Sequence, residues 1–335
     1  MRIMSIQETA KLRMTLNVCM LGARGVGKTT VLTAIFDETR GTNGLAGTSK
    51  IVISPKSDTR KILSNRKDEL LEIFDEKKAF SNGGIKATPG ASPYYFEFGI
   101  LSQQPCVDLN ITDFPGEYLN TDPDFVNKSL AESSAIMIAI DTPYLMEENG
   151  KYNDAKNHVS LIHDYLKDNL KEITASKLIM FVPLKCEKYF YQRKMQDVKE
   201  QIMKHYADII ELYETNDKVS MVITPILTLG DVEFSHFEPG YEFPIATYKF
   251  RGDSPKFSPR FCTQPVYYLL SFIVNRYMEN KNSANIWEKI LQAFFEFFKR
   301  HEDLCGEMFK LNQFRLEDES LGYYVISNTK LLNTK

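Results

Sequence analysis

Short apolar runs of strand length alternate along the chain with longer stretches whose apolar residues recur at helical spacing. That alternation predicts an α/β fold with helices on both faces of a sheet. The runs at 16–21, 94–100, 106–112, 135–140, 177–183 and 219–226 read as strands, and helical spacing predicts helices over 28–37, 123–132, 157–170, 190–212 and 265–280. One pair breaks the alternation. Only Leu101 to Pro105 separates the second and third runs, too short a link for a crossover, so these two strands form a hairpin. The expectation is a mostly parallel six-stranded sheet with one antiparallel hairpin strand.

Two segments exceed this plan. Residues 38–93 open with a glycine- and threonine-rich stretch, Gly41 to Ser49, and continue into an amphipathic helix from about Asp58 to Phe74 that carries Ile62, Leu63, Leu70, Leu71 and Ile73. Residues 230–262 are rich in proline, glycine and aromatics and predict a long loop with little regular structure. Beyond the last strand–helix pair, Trp287, Ile290, Leu291, Phe294 and Phe298 make one helical stripe within 284–300. It either packs on its own domain or docks a protein partner or a second copy. The division read from this pattern is a main domain at 1–281 and a C-terminal helical extension at 282–335.

Composition narrows the function classes. With 43% hydrophobic and 25% charged residues and a net charge of −3, the chain offers no electrostatic case for nucleic acid or an anionic membrane. The five cysteines are scattered with no metal-ligand spacing, which predicts reduced thiols and a cytoplasmic location. The first 14 residues carry no apolar block of a signal peptide, and Ala135–Ile140, among the longest apolar runs, falls far short of a membrane span. No Ser-His-Asp or Cys-His arrangement stands out.

The chemistry enters at Gly22-Ala23-Arg24-Gly25-Val26-Gly27-Lys28-Thr29, a complete G-x-x-x-x-G-K-[ST] phosphate-binding loop between the first strand and the first helix. Its glycines let successive N–H groups turn toward a β-phosphate. Lys28 is placed to reach the β- and γ-oxygens and Thr29 to hold Mg²⁺, with Thr30 beside them in the first helical turn. A second motif, Asp113-Phe114-Pro115-Gly116, closes the second hairpin strand. An acid there can hold Mg²⁺ through water, and the glycine amide can donate to a γ-phosphate.

Phosphate loop, antiparallel hairpin and D-x-x-G together resemble the Ras-like P-loop GTPases of the translation-factor class over roughly residues 14–280. Short stretches at 183–188, 224–230 and 261–265 look like the divergent double-GTPase domains of bacterial conflict and defence systems. The resemblance implies a three-layer P-loop sandwich that binds GTP or GDP with Mg²⁺. It implies that Lys185 lies along the base and Glu187 accepts from it, with Leu184 where Asn or Thr is usual and Glu where Asp is usual. Thr228, in the loop after the sixth strand, is implied near the base as well. The switch-I threonine that caps Mg²⁺ is one of Thr42, Thr48, Thr59 and Thr88, with Thr88 favoured.

Departures from the family pattern bear on turnover. Glu117 stands where Gln or His orients the attacking water, so slow hydrolysis is expected unless a partner or second subunit completes the site. Arg24 either neutralises γ-phosphate charge in cis or points outward to a partner, an acidic loop or solvent. Three readings remain: a GTP-hydrolysing switch signalling through Thr88 and 113–122, an ATP-hydrolysing P-loop enzyme, and a degenerate GTPase that binds nucleotide for assembly only.

Overall fold

The computed structural model describes residues 14–39, 51–76, 80–81, 92–100, 105, 107–169, 173, 175–240, 243–279, 313–327 and 332. The first strand, β1 (Met14–Leu21), runs through the loop at 22–27 into α1 (Lys28–Thr39). Then come β2 (Ile51–Pro55), α2 (Ser57–Glu76), β3 (Phe80–Ser81), β4 (Ser92–Ile100) and β5 (Val107–Asp113). Two helices, α3 (Tyr118–Thr121) and α4 (Pro123–Glu132), lead into β6 (Ala135–Asp141). After β6 the chain forms α5 (Thr142–Met146), α6 (Asn153–Asn157) and α7 (Val159–Asn169), and then β7 (Lys177–Leu184). The remaining elements are α8 (Glu187–Tyr191), α9 (Met195–His205), α10 (Ala207–Tyr213), β8 (Val219–Ile223), β9 (Val232–Glu238), β10 (Ile245–Phe250), α11 (Gln264–Glu279) and β11 (Tyr324–Ser327).

The main sheet has eight strands in the order β11-β8-β7-β6-β1-β5-β4-β2. Five neighbours, β5, β1, β6, β7 and β8, pair in parallel, whereas β4 pairs antiparallel to β5 as expected for the hairpin. The six-stranded expectation falls short at both edges, where β2 pairs antiparallel with β4 and β11 pairs antiparallel with β8. Both additions are four or five residues long, too brief to stand out in the sequence, and only β2 alternates in burial. β11 comes from the segment read as a helical extension, yet it belongs to the main sheet. The aromatic stripe at 284–300 lies outside the described residues.

Period-2 alternation divides each central strand between two cores. Val18 and Met20, Met137 and Ala139, and Met180 and Val182 face the layer that holds Val31, Leu32 and Ile35 of α1 with Val266, Tyr268 and Phe272 of α11. Cys19 and Leu21, Ile136 and Ile138, and Ile179 and Phe181 face Val126 and Leu130 of α4, Ile162 and Leu166 of α7, and Val198 and Ile202 of α9. β6 and β7 are buried along their whole length, as parallel strands covered on both faces must be. The three-layer α/β sandwich is therefore present.

Two expectations need correction. Residues 230–262 are not a loop: β9 and β10 pair antiparallel, with β3 on the free side of β10, in a second, three-stranded sheet. Val232 and Phe234 alternate with less buried Glu233 and Ser235, a strand pattern hidden by the surrounding proline and glycine. Phe74, Tyr144, Val232, Phe234, Ala246 and Tyr248 form that sheet's own core. The single helix expected over 190–212 is three helices, because Arg193 takes a left-handed φ of 57° and a break at Tyr206 follows α9.

Candidate functional site

The sheet's register brings the two motifs together. Met20 of β1 lies opposite Asp113 of β5, so the phosphate loop leaves β1 where β5 ends. Gly22, Gly25 and Gly27 have φ of 146°, 76° and 113°, a region that L side chains avoid, and they curl the loop into the N-terminus of α1. Val26 is buried beneath the loop, and Ala23 and Thr30 are buried too. At Gly22 a Cβ would approach the Ala139 carbonyl oxygen to 3.0 Å, which seats the loop on β6.

Lys28 is only 7% exposed, and its Nζ donates to the Gly22 carbonyl at 2.7 Å and the Ala23 carbonyl at 3.3 Å. Burial pulls its pKa down, opposed by the nearby carboxylates of Asp113 and Glu117. The Thr29 hydroxyl donates to Asp113 Oδ2 at 2.8 Å across 84 residues of sequence. Burial pushes the Asp113 carboxyl up, opposed by Lys28 and by the Thr29 hydrogen bond. A hydroxyl and a carboxylate in contact at the mouth of a phosphate loop are hard oxygen donors, a set that fits Mg²⁺ completed by phosphate and water. Among the described residues no three His, Cys, Asp or Glu side chains cluster as an all-protein metal site.

The segment after β5 touches the phosphate loop directly. A Cβ on Gly116 would fall 2.2 Å from the Arg24 nitrogen and 2.5 Å from the Ala23 carbonyl carbon, so the contact needs glycine there. Arg24 and Glu117, the two side chains singled out for turnover, form an ion pair at 2.8 Å. Arg24 is thus turned toward an acidic loop, the second of its two expected orientations. Both side chains are well exposed, at 68% and 44%, so the pair is screened and contributes little to stability.

On the other side of the loop, Lys185 follows β7 with a left-handed φ of 56°. Its Nζ donates to the Gly25 carbonyl at 2.8 Å and to Asp141 Oδ2 at 2.5 Å, and it lies 5.6 Å from the centre of the Tyr248 ring. Lys185 therefore ties the loop after β7 to the phosphate loop. Glu187 is buried, and its Oε1 accepts from the Leu229 amide at 3.1 Å. Burial pushes its pKa up from 4.5 to about 7, opposed by the amides of Leu229, Gly230 and Thr228. Thr228 is buried in the same loop.

Asp141 was not singled out from the sequence. It ends a fully buried strand, and an acid at the carboxyl end of such a strand is the signal that marks it. Asn157 frames it, donating from Nδ2 to the Asp141 carbonyl and accepting the Asp141 amide. Tyr248 lies in β10, within the stretch whose composition suggests a loop, and Tyr144 reaches the same core from the short helix α5. Of the switch-I candidates, Thr42, Thr48 and Thr88 lie outside the described residues. Thr59 is buried, and its hydroxyl oxygen accepts the Tyr95 amide at 2.8 Å, a link between α2 and β4. The described cysteines Cys19, Cys186 and Cys262 are free and buried. No helix among the described residues is long and apolar enough to cross a membrane.

No protein-family model matches the chain, and no curated protein does. Among solved structures it is similar to the GTPase-like domain of Ski7 from S. cerevisiae bound to GTP, with a TM-score of 0.42, 13% identity, and coverage of 67% of this chain and 45% of that one. It is also similar to that domain bound to GDP and inorganic phosphate, with a TM-score of 0.40, 13% identity, and coverage of 66% and 45%. The chain thus spans less than half the length of these two chains.

Proposed function

We propose that this chain is a nucleotide-dependent switch that binds GTP with Mg²⁺ and hydrolyses it slowly. The observation that carries the reading is the Thr29–Asp113 contact beside Lys28 at the N-terminus of α1. In this proposal the amides of 22–28 cradle the phosphates, Lys28 holds the β- and γ-oxygens, and Thr29, Asp113 and Thr88 hold the metal. Mg²⁺, when bound, supplies charge neutralisation at the transferred phosphoryl group. Gly116 packs against the backbone of Ala23 and Arg24, which supports a role for its amide at the γ-phosphate. A γ-phosphate entering there displaces residues 113–122, and their surface carries the signal to a partner protein or a second copy. The resemblance to double-GTPase domains extends the proposal to a bacterial defence system.

A second reading, an ATP-hydrolysing enzyme, gains from the inward turn of Glu187, because the acid expected to read guanine is engaged elsewhere. Competition of GTP and ATP for the full chain with Mg²⁺, followed by phosphate release, separates the two. GTP preference with slow release supports the switch, ATP preference sinks it, and binding without release points to a nucleotide held for assembly.

Glu117→Gln keeps the side chain's size while removing its charge and its ion pair with Arg24. Turnover is expected to rise about threefold to tenfold, since about 1 kcal/mol of charge repulsion at the γ-phosphate is relieved. A fall of similar size in single-turnover phosphate release would show instead that the carboxylate orients the water.

A further inference from the structure

Resting on the nucleotide reading above, we infer that Glu187 does not contact the base. It is a positioning residue that clasps the loop at 228–230, so the site takes guanine and hypoxanthine nucleotides alike. The loop is anchored from several sides. Leu229 donates its amide to Glu187 Oε1 at 3.1 Å and accepts from the Ser258 amide at 3.2 Å through its carbonyl. Gly230 accepts from the Tyr191 hydroxyl at 3.5 Å. It also sits so close to Ser258, with φ of 81°, that a Cβ would come within 2.2 Å of the Ser258 hydroxyl oxygen. Leu229 packs against the core of the second sheet.

Glu187 is the anchor from the side of the Lys185 loop, and Lys185 is in turn bonded to the Gly25 carbonyl. One chain of contacts therefore runs from the phosphate loop through 185–187 to 228–230 and into the second sheet.

Guanine differs from hypoxanthine by the amino group at C2, and reading that group requires an acceptor aimed at it. The Glu187 carboxylate is 2% exposed and engaged by the Leu229 amide. The amides of Glu187, Thr228 and Gly230 also face the carboxylate, so turning it to a base would leave buried amides without their acceptor. One hydrogen bond from the C2 amino group returns no more than that exchange loses, so it yields no net discrimination.

The test is titration of the full chain with Mg²⁺ and GTP, inosine triphosphate or inorganic tripolyphosphate, for the wild type, Glu187→Gln and Lys28→Ala. The expected result is that GTP and inosine triphosphate bind the wild type within about threefold of each other. Glu187→Gln should weaken both by about threefold to tenfold, because the Leu229 amide then meets a neutral amide oxygen in place of a carboxylate and the side-chain NH₂ adds a donor among the loop amides. Tripolyphosphate touches only the phosphate loop, so its affinity should stay unchanged and report an intact fold. The inference is overturned if GTP binds at least about tenfold more tightly than inosine triphosphate and Glu187→Gln erases that margin. It is overturned equally if Glu187→Gln changes nothing, or if tripolyphosphate weakens in step with the nucleotides, which marks a merely structural role. If all three ligands bind Lys28→Ala as they bind the wild type, the nucleotide reading itself fails and the clasp loses its function with it.

Discussion

Lys28→Ala is expected to lower nucleotide affinity about 100-fold while leaving the chain folded. In the proposed complex its ammonium donates to two phosphate groups, each a charge-assisted hydrogen bond of about 1.5 kcal/mol in a partly dehydrated site. The same ammonium already donates to the Gly22 and Ala23 carbonyls, so its removal also loosens the cradle before ligand arrives. It further removes the cation that opposes the upward push of burial on the Asp113 carboxyl. Calorimetric titration with Mg²⁺ and GTP checks the affinity, and a thermal melt of the same sample checks the fold. The companion variants Thr29→Ala and Asp113→Ala should make binding insensitive to a chelator, with affinity in Mg²⁺ falling to the wild-type value without metal. Wild-type affinity in all three variants would place the site elsewhere.

The second large effect is a pH dependence of stability centred on Glu187. Its carboxyl titrates at about 7 in the folded chain against 4.5 when unfolded, because burial penalises the charge more than the loop amides reward it. Below about pH 4.5 the group is protonated in both states and adds no penalty. As pH rises through the window from 4.5 to about 7, the unfolded chain releases its proton first and stability falls. The difference of about 2.5 units, at 1.36 kcal/mol per unit, amounts to about 3 kcal/mol lost above about pH 7. Urea unfolding of the wild type and Glu187→Gln at about pH 5 and about pH 8 isolates this contribution. Asp113 and Glu38 are also pushed up by burial, and they drop out of the difference between the two proteins. Equal slopes for the two would show that Glu187 stays charged in the folded chain.

Legibility of the site followed sequence distance. The strand–loop–helix around Gly22 to Thr29 was readable because its determinants are consecutive: an apolar run, glycines where φ is positive, and a helix N-terminus. Asp113 was readable as an acid ending a strand. The strands β1, β5, β6 and β7 followed from apolar runs that period-2 packing between two helical layers demands. The second sheet escaped because β9 alternates for only a few residues amid proline and glycine, and because β3, its third strand, has just two residues. A pattern that short cannot outweigh its flanks.

Local order in the chain therefore determined the fold class, the glycine-rich loop at 22–27 and the acid that ends β5, because each depends on neighbours a few residues apart. Tertiary structure alone decided which way the charged side chains turned. Arg24 pairs with Glu117, Lys185 with Asp141, and Glu187 with the Leu229 amide, across separations of 40 residues or more. A carboxylate's role depends on whether water, a cation or a backbone amide lies within hydrogen-bond distance, and that is set by how the sheet's loops converge. In Glu187 the same residue type that could meet a base in solvent becomes, once buried, the fastening of the loop beside it.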